Sequence, residues 1–258
     1  EDIKDKQILI KHEQGLGDTI QFINLVPELI KFNCKIDFLI PKVLNNLFEI
    51  KGVNFINEIN TSTNYDYEIN LMSLPYFLNI NLKKPPLNDT LNPNIFIKRS
   101  NVNNKSFFKI GIAWSGNKNY EFDRIRSTNL KSLSKILEIQ KDYPVKFYCL
   151  QKDIRKNDRD FFDNSNIEYL GNLKFYELSK QIIDLDLVIS TCTSILHLSA
   201  SLKTKTYGLI GYKADWRWLQ DQKKSKWYDS LEIFRLKKNQ KWEEISETLA
   251  SNIVNLIK

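Results

Sequence analysis

Strand-length apolar runs alternate with helix-period segments along this chain, and the alternation breaks once. Gln7-Ile8-Leu9-Ile10 has the length of a strand, and the loop Glu13-Gln14-Gly15-Leu16-Gly17 follows it. From Asp18 onward, Ile20, Ile23, Leu25, Val26, Leu29 and Ile30 recur near the helical period. Residues 35–40 predict a second strand stopped by Pro41, 43–50 a helix, 53–56 a weak third strand and 67–71 a fourth. Between Lys83 and Ser106 the composition turns to Pro85-Pro86, Pro93 and many asparagines, which reads as a loop or interdomain linker. The alternation then resumes, with strands at 107–114, 145–150, 187–190 and 204–210 and helices at 130–139, 175–185, 194–202 and 242–257. Strand–helix alternation of this kind implies an α/β protein with parallel sheets covered on both faces. Two such units around a linker give two Rossmann-like lobes, 1–104 and 105–258, the first reduced in size and the last helix placed to cross back to it. No repeat of solenoid period is visible.

Several classes of protein fall away early. No run approaches the roughly 20 apolar residues of a membrane span, and the charged opening residues 1–6 show no signal peptide. Cys34, Cys149 and Cys192 are odd in number and widely spaced, which fits neither a disulfide framework nor a zinc pattern; a reducing cytoplasm is the simplest location. The net charge of +7 favours anionic partners such as nucleic acid, acidic headgroups at a membrane surface or a phosphorylated metabolite. The pairs Lys83-Lys84, Lys223-Lys224 and Lys237-Lys238 read as solvated faces, and no nucleic-acid-binding module is recognisable.

Five motifs could carry chemistry. Gly15-Leu16-Gly17-Asp18 lies between a strand and a helix, where glycines let a substrate approach the positive end of the helix dipole. Taken alone, Asp18 is better read there as a helix cap. Ser190-Thr191-Cys192-Thr193-Ser194 gathers hydroxyls at a helix start where a diphosphate could bind, with His197 one turn later on the same side. Trp114-Ser115-Gly116-Asn117, with Arg124 and Arg126 downstream, suits a leaving phosphate. Gln151 and Lys152 end a strand and could meet a base or ribose. Asp215-Trp216-Arg217-Trp218, with Trp227-Tyr228 behind it, reads as a lid or an interdomain seam. Asp184-Leu185-Asp186 has the Asp-X-Asp spelling of metal-dependent glycosyltransferases, but its apolar neighbours make it structural, and His12 and His197 are too few for a histidine metal site.

In this order the motifs resemble the glycosyltransferase-like domain at the C-terminus of bacterial tetratricopeptide-repeat proteins, related to the family 9 heptosyltransferases. The matching residues run from His12-Glu13-Gln14-Gly15-Leu16-Gly17-Asp18 through Gly111-Ile112-Ala113-Trp114-Ser115-Gly116-Asn117, Asp123-Arg124-Ile125-Arg126-Ser127, Leu150-Gln151-Lys152 and Asp186-Leu187-Val188-Ile189-Ser190. They continue through Thr193, His197-Leu198, Asp215-Trp216-Arg217-Trp218 and Trp227-Tyr228 to Phe234-Arg235. The resemblance implies a GT-B fold, with the acceptor on the first lobe and a nucleotide-sugar donor on the second, and no cofactor. It implies an inverting, metal-independent transfer to a glycan, lipid-linked or protein acceptor, with Asp18 as the base. Cys192, Thr193, Ser194 and His197 would hold the donor diphosphate, helped by Ser115, Gly116, Asn117 and Arg126. Many relatives carry aspartate where this chain has Cys192, so a silent nucleotide-sugar-binding module is the competing expectation.

Overall fold

The computed structural model describes residues 2–60, 62–81, 84–86, 88–96, 106–220 and 222–258. The first lobe runs β1 (Gln7–Lys11), α1 (Leu16–Phe22), α2 (Val26–Ile30), β2 (Lys35–Leu39), β3 (Val53–Ile56), β4 (Tyr67–Asn70) and α3 (Leu74–Phe77). Pro27 opens α2, and because proline has no N–H to donate, the single helix expected from Asp18 is split by a 3₁₀ turn at Ile23–Leu25. The helix expected at 43–50 shrinks to a 3₁₀ turn at Lys42–Leu44. Asn46, in the left-handed region at φ 65°, bends the chain there, yet Leu44, Leu47, Phe48 and Ile50 still enter the core.

The sheet order is β3-β2-β1-β4, all parallel. Right-handed crossovers put the segments after β1 and β2 on one face of this sheet. The return from β3 to β4, which belongs on the other face, is a loop at 57–66 with no described helix. The first sheet is therefore covered by helices on one face only, contrary to the expectation. On the other face Leu9 is fully buried beside polar neighbours, with Lys11 paired to Glu68 and Asp37 accepting from Asn54 and Tyr65.

The second lobe contains β5 (Phe108–Ala113), α4 (Asp123–Arg126), α5 (Ser134–Leu137), β6 (Val145–Cys149), α6 (Lys156–Asp163), β7 (Ile167–Tyr169), α7 (Phe175–Ile182), β8 (Leu187–Thr191), α8 (Ser194–Ser201), β9 (Thr206–Ile210), β10 (Leu231–Arg235) and α9 (Trp242–Ile257). Its order, β10-β9-β8-β5-β6-β7, is again all parallel and is the doubly wound order, with the direction reversing between β5 and β8. Ile110, Ile112, Leu187 and Ile189 face one core layer, and Val188 faces the other. Each buried side chain of this size contributes about 1.5–3 kcal/mol. Asp186 of the Asp-X-Asp spelling accepts from the Lys109 N–H at 2.9 Å, a structural role at the start of β8.

Among the described residues the buried face of the last helix packs on the second lobe. The buried residues of α9, Ile245, Leu249 and Ile253, join the second lobe's own layer against Leu133 and Ile136, and Ser132 donates to Glu243 at 2.7 Å. The lobes are joined differently: one apolar cluster runs from Ile10, Phe22 and Phe38 of the first lobe to Leu178, Leu196, Trp218 and Trp227 of the second. The expected boundary at 104/105 lies outside the described residues.

Candidate functional site at the interlobe seam

In open parallel sheets, ligands bind beyond the carboxyl ends of the strands, at the point where the strand order reverses. Both lobes put their expected motifs there. In the first lobe the loops after β1 and β4 meet, and the Glu13 carboxylate accepts from the Met72 N–H at 3.0 Å. In the second lobe the loop after β5 begins at Trp114 and the loop after β8 at Cys192. The two lobes face each other through α1 and α8.

Gly15 is the N-cap of α1, so the helix starts two residues before Asp18. Asp18 takes the cap role, and it also reaches across the seam. Its Oδ2 accepts from the Gly15 N–H at 2.9 Å and closes the helix start, while its Oδ1 pairs with Arg217 Nη2 at 2.7 Å across the seam. The Asp18 side chain is 16% exposed and that of Arg217 7%. Arg217 also donates to Gln21 Oε1 on α1 at 2.7 Å and to Asp215 Oδ2 on its own loop at 3.3 Å. Burial works against the Arg217 charge, and Asp18 and Asp215 more than offset it, holding the guanidinium as a cation.

Thr193 is the N-cap of α8, and its hydroxyl lies 3.3 Å from that of Ser190. It therefore does not cap the helix through its side chain; the Leu196 and His197 N–H groups bond back to the Thr193 carbonyl at 3.1 and 3.4 Å, and those of Ser194 and Ile195 head the helix. His197 is placed differently from the expectation. It is 3% exposed, sealed beneath Gly17, hydrogen bonded through Nδ1 to the Tyr228 hydroxyl at 2.9 Å, with its ring centroid 5.5 Å from that of Trp218. Burial, with the Arg217 charge adding to it, holds His197 well below the usual imidazole range, so the ring is neutral. Its described contacts are those of the seam: Gly17, Tyr228 and Trp218. Cys192 is likewise engaged: its sulfur accepts from Trp218 Nε1 at 3.2 Å, and burial pushes its thiol up.

Arg126 joins the two loops of the second lobe. It donates to the Cys192 carbonyl at 3.2 Å and to Asp123 at 3.4 Å, and its guanidinium lies 4.4 Å from the Tyr120 ring centroid. A Cβ on Gly116 would stand 2.4 Å from Arg126 Nη2, so glycine is what lets the cation lie against this loop. Arg155, which the sequence reading missed, pairs with the same Asp123 and donates to the Gly116 carbonyl at 3.1 Å.

Trp114 and Gln151 are turned into the frame. Trp114 is fully buried and donates from Nε1 to Asp158 at 2.9 Å. Gln151 Oε1 accepts from the Trp114 and Ser115 N–H groups at 2.8 and 3.0 Å, and its Nε2 donates to the Ser115 hydroxyl at 3.1 Å. Both residues stiffen the loop after β5 and present no free polar atom to a base. Asn117, Arg124 and Lys152 are exposed. Among the described residues, no three His, Cys, Asp or Glu side chains converge into a metal site, and no helix is long and apolar enough to cross a membrane.

Residues 126–251, just under half of the chain, match the family described as glycosyltransferase family 9 (heptosyltransferase). No curated protein matches the sequence. Solved structures share the fold over nearly the whole chain. The E. coli heptosyltransferase WaaC with ADP-2-deoxy-2-fluoro heptose is 9% identical at a TM-score of 0.65, covering 97% of this chain and 99% of that one. A glycosyl transferase family 9 protein from Veillonella parvula is 10% identical at 0.68, covering 100% and 98%. The dodecameric, iron-containing heptosyltransferase TibC of enterotoxigenic E. coli, in complex with ADP-D-β-D-heptose, is 11% identical at 0.65, covering 100% of this chain and 77% of that one. Over residues 126–251 the chain matches glycosyltransferase family 9 (heptosyltransferase), and over nearly its whole length it has the fold, two parallel-sheet lobes, of the solved GT-B heptosyltransferases.

Proposed function

We propose that this chain transfers a sugar from a nucleotide-diphosphate sugar to a hydroxyl acceptor, with inversion at the anomeric carbon and Asp18 as the base. The observation that carries this reading is the position of Asp18. Its carboxylate lies at the interlobe seam, on the helix whose Gly17 packs against His197 of α8, opposite the loop at Cys192-Thr193-Ser194. In the transfer, the acceptor oxygen forms the bond to the anomeric carbon as its proton passes to Asp18, and the bond from that carbon to the diphosphate breaks. A placed base contributes about 10²–10⁴-fold. The departing negative charge would be met by the first turn of α8 and by Arg126, which already bridges the Cys192 and Gly116 loops. The first lobe, 1–104, would carry the acceptor and the second, 105–258, the donor. The acceptor class is a glycan, a lipid-linked sugar or a protein, reached in the cytoplasm alongside tetratricopeptide repeats or at a membrane surface.

WaaC and TibC were solved with ADP-linked heptoses, which makes ADP-heptose the first donor to try. A thermal-shift screen against ADP-, UDP-, GDP- and CMP-sugars identifies the base, since a ligand of the native state raises apparent stability. ADP release from ADP-heptose then tests the chemistry. Asp18→Asn is expected to lose on the order of 10²-fold or more in turnover while still binding ADP; undiminished turnover in that variant would overturn the assignment. A second reading, a nucleotide-sugar-binding module without turnover, is favoured by Cys192, whose sulfur is spent on Trp218, and by an Asp18 whose two oxygens both have partners. It predicts ADP binding to the second lobe with no ADP release by the wild type.

A further inference from the structure

Arg217 has no role in the transfer as written, yet no other described cation is as deeply enclosed by acidic and amide oxygens from two lobes. It stands between two tryptophans on the loop after β9 and is 7% exposed. The Asp215 side chain accepts from the Arg217 backbone N–H at 3.2 Å and from Nη2 at 3.3 Å, with its Oδ1 3.0 Å from Nε, which ties the guanidinium to its own loop. Among the described residues, its hydrogen-bond and ion-pair partners beyond that loop are Asp18 and Gln21 of α1, both at 2.7 Å. An arginine fork bound on one side by its own loop and on the other by a carboxylate has one geometry available to it.

We infer that Arg217 is the positioning residue for Asp18: the second lobe supplies the guanidinium that sets the first lobe's carboxylate. This rests on the reading of Asp18 as the base and deepens it. Asp18 Oδ2 is tied to the Gly15 N–H, so the carboxylate can turn only about that contact, and Arg217 removes the remaining freedom. The consequence is that the base is set only when the two lobes are in register. A carboxylate released from such a clamp is misplaced by the ångström or so that costs on the order of 10²-fold in rate. Four other side chains near the clamp already have partners of their own. His197 is held by Tyr228, Cys192 by Trp218, Arg126 by Asp123 and Glu13 by Met72, so none of them substitutes for Arg217.

The test is a double-variant cycle on ADP release from ADP-heptose, with ADP binding measured separately by calorimetry. Arg217→Gln is expected to lower turnover about 10- to 100-fold while the ADP dissociation constant changes less than about threefold. Arg217→Lys, which keeps the charge and loses the fork, is expected to recover part of the loss. The double variant Asp18→Asn/Arg217→Gln should be no slower than Asp18→Asn alone, because both changes act through one carboxylate. Losses that multiply, or an Arg217→Gln variant within twofold of wild type, overturn the inference. Should Arg217→Gln fail to fold, Asp215→Asn, which loosens the guanidinium from its own loop, is expected to lower turnover with unchanged ADP binding, and no change in turnover overturns the inference. If Asp18→Asn is fully active, the transfer reading itself fails. A thermal-stability cycle on the same variants still reads whether Asp18 and Arg217 are coupled, so the two failures are separable.

Discussion

Gly17 and His197 meet so closely across the two lobes that a Cβ built on Gly17 would stand 2.8 Å from His197 Cδ2. The imidazole cannot move aside, because Tyr228 holds its Nδ1 and Trp218 lies beside its face. The glycine is thus required by a close approach, since no positive φ is involved.

Gly17→Ala sets two effects against each other. Alanine in place of glycine favours a helix by up to about 1 kcal/mol, and less in a first turn. Overpacking a rigid contact costs about 1–3 kcal/mol. The second effect wins, and a net loss of about 1 kcal/mol is expected, seen as a fall of about 2–4 °C in melting temperature for a chain of this size. A melting temperature at or above that of the wild type would show that the seam yields.

The pH dependence of stability follows from the same histidine. His197 is held neutral by burial, so its folded-state pKa is depressed, whereas an unfolded histidine titrates near 6.5. Below that value the unfolded chain binds a proton that the folded chain refuses, and stability is lost as the pH falls. Between pH 7.5 and 5.5 this single group is expected to remove about 1.4 kcal/mol. His197→Gln should flatten that slope even if it lowers stability at every pH. His12 is present in both proteins and drops out of the comparison. Chemical denaturation of wild type and variant at the two pH values checks it, and parallel slopes would refute it.

The sequence made the alternation of strands and helices legible because parallel strands buried on both faces must be apolar, as Leu187-Val188-Ile189 is. Elements whose burial is partial left no such trace. The helix α6, Lys-Asn-Asp-Arg-Asp-Phe-Phe-Asp, buries only Asp158 and Phe162, and β7 lies at a sheet edge with two exposed residues of three. Asp18 was visible because glycines mark the loop before it. Arg217 was not, since an arginine between two tryptophans reads as a lid, and nothing along the chain ties residue 217 to residue 18. Trp114 and Gln151 show the opposite limit: the loop was found, but residue type could not say that their polar atoms turn inward.

The continuity of the core across the seam makes a claim about folding. Phe22 of the first lobe is 1% exposed, and its ring centroid lies 5.3 Å from that of Trp227 and 6.5 Å from that of Trp216 in the second. Lobes joined by a polar contact would unfold separately, whereas a shared apolar core couples them. Tryptophan fluorescence, which reads the second lobe, and far-ultraviolet circular dichroism, which reads both, are therefore expected to give one coincident denaturation transition. Phe22→Ala should move both signals together, by about 3–5 kcal/mol, since the cavity opens in a layer to which both lobes contribute. If instead the dichroism of the variant splits into two steps while the fluorescence midpoint stays in place, the lobes are independent units and the apolar seam does not couple them.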